Sequence, residues 1–331
     1  MIGDKKDKFY FLYERERIKV EKKLEQLLQD RKPASLYLPG SYILRGGGKR
    51  LRPLLVLFST KAVGGKLSSV YNAAVAVELL HNFTLVHDDI MDNADKRRGK
   101  LTLHKKYDVN TAILVGDSLL SVAYENLLKD CKDNAKPVLE AFTKGLVEVC
   151  EGQSMDKDFE SKRNISINDY ILMIKKKTAA MAEMCCKIGA ILGGGSPKDI
   201  QALANFGKNI GIAFQIQDDL LDIIGDEKEF GKFVGGDLVE GKKTFLLLKA
   251  SEVAKGEDRI KLQRVIDRKG IKLDEILVYR ELYKKLGVLD DAKTEIKRYT
   301  DKALMSVQVL QNNTDREFFT WLANSLIKRS K

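Results

Sequence analysis

Only five prolines interrupt the 331 residues, at positions 33, 39, 53, 137 and 197, and the last 134 residues contain none. Proline inside a helix removes an amide donor and clashes with the preceding turn, so long proline-free stretches leave the helix as the default. Apolar residues recur at three-to-four spacing. Ile18, Leu24, Leu27 and Leu28 form one such stripe near the start, and Leu203, Phe206, Ile210, Phe214 and Leu221 form another near the middle. Alternation of period two between turn pairs is hard to find. The pattern predicts an all-α protein of roughly ten to thirteen helices. Turn signals are few: Lys32 to Pro39, Gly46 to Gly48, Gly64-Gly65, Asn93 to Lys100, Gly193 to Pro197, Gly225 to Gly236 and Lys269-Gly270. Ser196-Pro197 ahead of Lys198-Asp199 reads as a helix start. None of these loops is long enough for an interdomain linker and no repeat occurs, so one domain over residues 1–331 is expected. The first 30 residues read as a helix whose aromatic end, Phe9 to Tyr13, packs on the body or on a second subunit.

Composition narrows the class. With 44% hydrophobic and 32% charged residues, the chain is neither disordered nor fibrous. No apolar run approaches the 18 or so residues of a membrane span. The alternating charges at the N-terminus hold no apolar signal-peptide region, so none is expected. Four cysteines form no CxxC pair, and Cys185-Cys186 reads as two buried thiols in a reducing, cytoplasmic setting. The net charge of +11 points to anionic ligands, and composition alone leaves nucleic acid, an anionic membrane surface and phosphorylated small molecules open.

Two segments carry chemistry. Asp88-Asp89-Ile90-Met91-Asp92 and Asp218-Asp219-Leu220-Leu221-Asp222 are both DDxxD, and they start 130 residues apart. Residues i and i+4 differ by only about 40° around a helix, so Asp88 shares a face with Asp92, and Asp218 with Asp222; the middle Asp lies about 100° round. Like charges within one turn are unfavourable by a few tenths of a kcal/mol. Both motifs are entered by strongly apolar helical sequence, so the charges are expected in a cavity, where a carboxylate cluster needs cations. Oxygen-only donors select hard ions, and Mg²⁺ takes one or two carboxylates plus substrate phosphates. An EF-hand is excluded, because its loop spacing and glycine are missing.

Basic clusters adjoin these motifs. Gly46-Gly47-Gly48 leads into Lys49, Arg50 and Arg52, and Arg97-Arg98-Gly99 follows the first motif. Lys175-Lys176-Lys177-Thr178 lies between the two, and Gly231-Lys232 and Gly241-Lys242-Lys243-Thr244 follow the second. Each alone reads as a solvated face; as a set beside carboxylates they suggest metal–diphosphate chemistry. The glycine loop is no P-loop, lacking GxxxxGK[ST] and a preceding strand. His81 and His87 lie about 240° apart on a helix, so a local zinc site is excluded. No GxSxG and no Cys–His arrangement supplies a covalent nucleophile.

In order along the chain, Gly47 to Pro53, Glu78-Leu79-Leu80-His81 with the first DDxxD, Arg97-Arg98-Gly99, Gly116-Asp117, Gly152-Gln153-x-x-Asp156, Tyr170, Lys177-Thr178, Phe214-Gln215 with the second DDxxD, and Gly231-Lys232 through Asp237-Leu238 to Thr244 resemble the trans-isoprenyl diphosphate synthases, of the geranylgeranyl and farnesyl type. Departures are small: Asp108 stands where the family often has Gly, and Leu246 where many members have Pro.

The resemblance implies a single polyprenyl synthase domain, a helical bundle around a deep central cavity of the isoprenoid synthase type, and a homodimer. Asp88, Asp92 and Asp218 would bind Mg²⁺ directly, supported by Asp89, Asp219 and Asp222, with the two motifs facing each other across the cavity mouth. Arg97, Lys177, Lys232 and Lys242 would hold an allylic diphosphate (dimethylallyl, geranyl or farnesyl). Lys49, Arg52, His81 and Arg98 would hold isopentenyl diphosphate. Thr178 and Gln215 would set oxygen dipoles near the allylic cation, and the basic tail Lys328 to Lys331 is similar to a C-terminal lid. The implied reaction is ionisation, condensation and elimination, the last proton passing to the bound diphosphate. Leu80, Phe83 and Thr84 precede the first motif. The helical wheel turns Leu80 and Thr84 toward the cavity and Phe83 to its side. In the resembled family an aromatic five residues before the motif acts as a floor, which implies a C20 product, with C15 or C25 as alternatives. A class I terpene cyclase and a non-catalytic subunit are the rival readings; the complete second motif argues against both. Nucleic-acid binding rests on net charge alone.

Overall fold

The computed structural model describes residues 2–225 and 234–327. Among them are sixteen α-helical segments, and the all-α expectation holds. The count exceeds thirteen partly because it includes single turns, Leu103–Lys106 and Gly236–Val239. The sequence reads Asn93 to Lys100 as a loop, yet a small antiparallel hairpin forms there, Lys96–Arg97 with Lys100–Leu101. Its two-residue turn needs positive φ twice, and Arg98 (φ 52) and Gly99 (φ 75) supply it.

The chain divides into two compact units. The first comprises Met1–Thr143, Met184–Leu203 and Leu310–Asp315; the second comprises Lys144–Glu183, Ala204–Val309 and Arg316–Lys331.

In the first unit, helix Tyr71–Met91, which carries the first motif, lies along helix Val109–Lys129. Small side chains permit the close approach. Ala73, Ala74, Ala76, Ala112 and Ala123 are all buried, and a Cβ on Gly116 would come within 2.4 Å of His87 Nε2. Asp130 accepts from the Ala73 amide at 2.8 Å and from Asn72 Nδ2 at 2.7 Å, placing a carboxylate at the positive end of the motif helix. Asp108, the departure noted above, accepts from Thr111 N–H at 2.8 Å and caps the partner helix. The N-terminal helix Ile2–Gln26 buries Phe9, Glu16, Val20 and Leu24, while Ile18 is 58% exposed. The expected stripe is therefore shifted, because Glu16 occupies a buried position of the true face and bonds Tyr71 Oη. Phe9 packs on the body, whereas Tyr10 and Phe11 remain exposed.

The second unit is built around residues 204–224 of the second-motif helix. That helix, Pro197–Ile224, begins where Ser196-Pro197 predicted, with Asp199 N–H donating to Ser196 Oγ at 3.2 Å. Ile212, Ile216, Leu220 and Ile223 share a core with Tyr170, Phe245, Leu247 and Tyr283. Helix Ile167–Ile174 continues into a π turn at Lys175–Ala179, where the Ala180 amide reaches back to the Lys175 carbonyl. Helix Ala135–Ser161 meets this turn at Gly152, where a Cβ would sit 2.1 Å from the Lys177 nitrogen. Glycine is needed there to admit the wider π backbone. The four cysteines are thiols, and Cys185 and Cys186, in the first unit, are buried, as their pairing in sequence suggested.

Candidate active site

The first motif ends its helix. Asp92 is the C-cap, and its N–H donates to the Asp88 carbonyl at 2.9 Å, so the i, i+4 stacking survives to the last turn. Asp88 is half-buried and Asp92 exposed, whereas Asp89 points inward and is buried. Arg97 grips Asp89, with both Nε and Nη2 at 2.7 Å from Oδ1. Burial pushes the Asp89 carboxyl up and Arg97 opposes that shift. The hairpin carrying Arg97 is pinned from helix Ala34–Leu44 by Tyr42 Oη, which donates to the Leu101 carbonyl at 2.9 Å.

The glycine loop divides its three cations. Lys49 is exposed, and its carbonyl accepts from Tyr13 Oη at 2.6 Å. Arg50 has left-handed backbone (φ 49) and turns inward, donating to Glu78 at 2.8 Å, Glu21 at 3.2 Å and the Leu44 carbonyl at 2.7 Å. It is a buried anchor. Arg52, on the following helix Leu51–Ala62, points Nη1 at His81 Nε2 at 3.2 Å. Arg98 donates to the Gly47 carbonyl and lies over Gly48, where a Cβ would meet Nη1 at 2.9 Å. Burial, then the charges of Arg52, Arg98, Arg97 and Arg50, hold the His81 imidazole well below its usual range. A neutral imidazole among guanidinium groups leaves an excess of positive charge suited to an anion. Lys49, Arg52, His81 and Arg98, the predicted isopentenyl diphosphate set, thus belong to one loop, the two helices behind it and one turn over it.

In the second unit the middle carboxylate is again drawn inside. Asp219 Oδ2 accepts from Tyr170 Oη at 2.6 Å and from Phe245 N–H at 3.0 Å, and Oδ1 accepts from Gln215 Nε2 at 3.2 Å. Burial, then Asp237, raises its pKa to about 7 against those three donors. Thr178 Oγ1 donates to Gln215 Oε1 at 3.0 Å, so the Gln215 carboxamide is fixed from both ends. Asp218 and Asp222 are half-buried, and Asp222 Oδ2 accepts from Asp237 N–H at 3.1 Å. Lys177 pairs with Asp156. Lys242 pairs with Asp237 at 3.2 Å and Glu240 at 2.7 Å, and these acids raise its pKa although burial opposes them. Lys232 and the tail Lys328 to Lys331 lie outside the described residues.

Residues 33–285 match the family described as polyprenyl synthetase. The chain belongs to the polyprenyl synthetase family. It is 38% identical over 312 residues to a geranylgeranyl diphosphate synthase of Methanosarcina mazei, covering 94% of each chain. A geranylfarnesyl diphosphate synthase of Natronomonas pharaonis is 35% identical over 334 residues, covering 94% of this chain and 95% of that one. The crystal structure of a geranylgeranyl pyrophosphate synthetase from Pyrococcus horikoshii superposes with a TM-score of 0.91 at 38% identity, over 98% of this chain and 99% of that one.

Within this polyprenyl synthetase, sequence reasoning assigned no role to Arg50, Glu78, Asp156 or Asp237. Each buries or pairs a charge beside a predicted site residue. A carboxylate inside an apolar helical run, as at Glu78, was the available signal. Leu80 is buried; Phe83 and Thr84 are half-buried. The Phe83 ring meets His87 edge-on at 4.7 Å between centroids, and Thr84 Oγ1 donates to the His81 carbonyl at 2.8 Å. Among the described residues no three His, Cys, Asp or Glu side chains form a ready ligand set. The donor set of the two motifs is paired carboxylates with no sulfur, which suits a hard ion such as Mg²⁺. Among the described residues no helix is long and apolar enough to cross a membrane.

Proposed function

We propose that this polyprenyl synthetase is a Mg²⁺-dependent short-chain prenyltransferase that condenses isopentenyl diphosphate with allylic diphosphates up to farnesyl and releases geranylgeranyl diphosphate. The observation that carries this reading is the splitting of both DDxxD motifs. In each, the middle Asp is bound to the protein's own donors while the outer pair shares a helix face. The geranylgeranyl synthases of Methanosarcina mazei and Pyrococcus horikoshii support the C20 product. The family match spans parts of both compact units, which supports treating residues 1–331 as one polyprenyl synthase domain. A homodimer in the cytoplasm is part of the same proposal.

Asp88, Asp92 and Asp218 would ligate the metal, with Asp89, Asp219 and Asp222 behind them. Bound Mg²⁺ would offset the charge that builds on the departing diphosphate. Lys177, Lys242, Lys232 and Arg97 would hold that diphosphate. Lys49, Arg52, neutral His81 and Arg98 would hold isopentenyl diphosphate, whose double bond attacks the allylic carbon. Gln215, clamped between Thr178 and Asp219, keeps its carbonyl dipole fixed, so little reorganisation is needed as cationic charge develops. Proton loss to the departing diphosphate completes the condensation and accounts for the lack of a dedicated protein base.

The test is one incubation series: Mg²⁺, isopentenyl diphosphate and each of the three allylic primers, with products dephosphorylated and chromatographed. Geranylgeraniol from all three is expected, and chelation of Mg²⁺ should stop its formation. Cyclic hydrocarbon would favour the cyclase, no turnover the non-catalytic subunit, and a C15 or C25 alcohol a different ruler.

A further inference from the structure

Between Lys255 and Lys285, ten Lys and Arg stand against six Asp and Glu. Within the second unit this stretch forms helices Gly256–Arg268 and Ile276–Lys285, which flank a groove of about 550 Å³ that opens to solvent. Lys261, Arg264 and Arg268 line one wall at i, i+3 and i+7, a single helix face. Val265, Ile271, Val278 and Tyr279 supply apolar lining, and Tyr279 Oη donates to the Lys261 carbonyl at 3.2 Å, tying the walls together. Ion pairs occur nearby, as at Lys285–Asp258 (2.7 Å). Among the described residues, however, Lys261, Arg264 and Arg268 make no ion pair and no side-chain hydrogen bond. Glu275, the carboxylate in the lining, accepts from the Lys272 amide at 2.9 Å as a local cap. Around the groove, aliphatic side chains are bare: Ile260 is 54% exposed, Leu273 61%, Leu277 69% and Val278 55%.

We propose that this face docks the protein on an anionic lipid bilayer. Leu273, Leu277 and Ile260 enter the headgroup boundary, and Lys261, Arg264 and Arg268 meet lipid phosphates at the groove. Bare aliphatic side chains beside unpaired cations are what an interfacial site requires, since apolar burial and attraction to anionic headgroups add. Single-stranded nucleic acid would call for exposed aromatic platforms, and the groove's aromatic, Tyr279, is buried.

The test uses the full chain without substrates, so its outcome does not depend on the reading of the catalytic site. Co-sedimentation is measured with vesicles of phosphatidylcholine containing roughly one-third phosphatidylglycerol, and with phosphatidylcholine alone. Binding to the anionic vesicles is expected, weakening in high salt. Neutralising the three cations (Lys261→Gln, Arg264→Gln, Arg268→Gln) should lower partitioning about a hundredfold, at about fivefold per cation. Leu273→Asp with Leu277→Asp should also abolish retention. All five positions are exposed, so melting curves and turnover on soluble substrates should match the parent. No retention on anionic vesicles, or parent-like retention of both variants, overturns the proposal. So does calorimetric binding of inorganic diphosphate at the three cations without vesicle binding, or capture of RNA or of a protein in place of vesicles.

Discussion

Arg50→Met should be one of the most destabilising single changes in the first unit. Arg50 and Glu78 are each only 3% exposed and are joined at 2.8 Å. Removing the guanidinium leaves Glu78 buried without its partner, a loss of about 3–5 kcal/mol. Met shares the left-handed backbone cost with Arg, and that contribution cancels. Glu78→Leu should cost less, because Arg50 keeps Glu21 at 3.2 Å and the Leu44 carbonyl at 2.7 Å. The double variant, however, replaces a buried ion pair by apolar side chains, which is often nearly neutral. Its residual cost is the Leu44 carbonyl left without its donor, about 1–3 kcal/mol. Urea unfolding of the parent, both single variants and the double variant measures the coupling. The double variant should be more stable than Arg50→Met alone. Losses that simply add, or single losses below about 1 kcal/mol, would refute the buried-anchor account. Because Arg50 fixes the loop bearing Lys49 and the helix bearing Arg52, Arg50→Met should also raise the KM for isopentenyl diphosphate more than that for the allylic substrate.

Other outcomes follow from the same geometry. His81 titrates well below its unfolded value near 6.5, so between the two the unfolded chain binds the extra proton and stability falls as pH drops. The parent should lose up to about 1.4 kcal/mol per pH unit below 6.5 from this group, and His81→Gln should flatten that limb of the urea-midpoint profile; parallel profiles would show that His81 is not buried neutral. Gly152→Ala should lower the melting temperature and cut turnover more than stability alone explains, because its Cβ cannot avoid the backbone of the turn bearing Lys177 and Thr178. Phe83→Ala should lengthen the prenyl product to C25 or beyond and Thr84→Phe should shorten it to C15; unchanged chromatograms in both would remove these positions from the ruler.

What was legible in the sequence was what depends on helix periodicity or a local cap. The shared face of Asp88 and Asp92 and the divergence of Asp89 follow from spacing, and the helix start at Pro197 follows from its Ser-Pro cap. What depended on a single backbone sign change was not legible. Lys49, Arg50 and Arg52 look equivalent in the sequence, but the left-handed Arg50 separates an exposed lysine from a buried arginine. Arg97 and Arg98 are adjacent, yet the hairpin turn sends one to Asp89 and the other to the glycine loop. The π turn at Lys175–Ala179 has no breaker residue to announce it, and its mark in the sequence is remote, at Gly152. Ile18 was misplaced because apolar periodicity cannot register a buried Glu16. The unpaired cations at Lys261, Arg264 and Arg268 were unreadable as well, since pairing is a property of neighbouring elements.

The two aspartate motifs solve the same electrostatic problem, and the solution makes a prediction. Three carboxylates within one turn repel one another. In both motifs the middle one is withdrawn and bonded, by Arg97 at Asp89 and by Tyr170, Phe245 N–H and Gln215 at Asp219. Middle and outer carboxylates should therefore separate cleanly when each is replaced by Ala. Asp89→Ala leaves the Arg97 guanidinium without its buried acceptor, and Asp219→Ala leaves a buried Tyr hydroxyl and a buried amide without theirs; losses of about 1–3 kcal/mol per stranded group are expected. Asp219→Ala also releases one end of the Gln215 carboxamide, so turnover falls with stability. Asp88→Ala, Asp92→Ala and Asp218→Ala instead remove like-charge repulsion, and Asp92 in addition sits at the negative end of its helix. Those three should cost less stability than Asp89→Ala and Asp219→Ala while turnover drops by at least ~10², the scale of losing a preorganised charge at the reacting centre. Thermal melts and steady-state rates on the five variants test the division. If Asp88→Ala and Asp218→Ala melt as low as Asp89→Ala and Asp219→Ala, the outer carboxylates hold the fold as much as the middle ones do and the division fails.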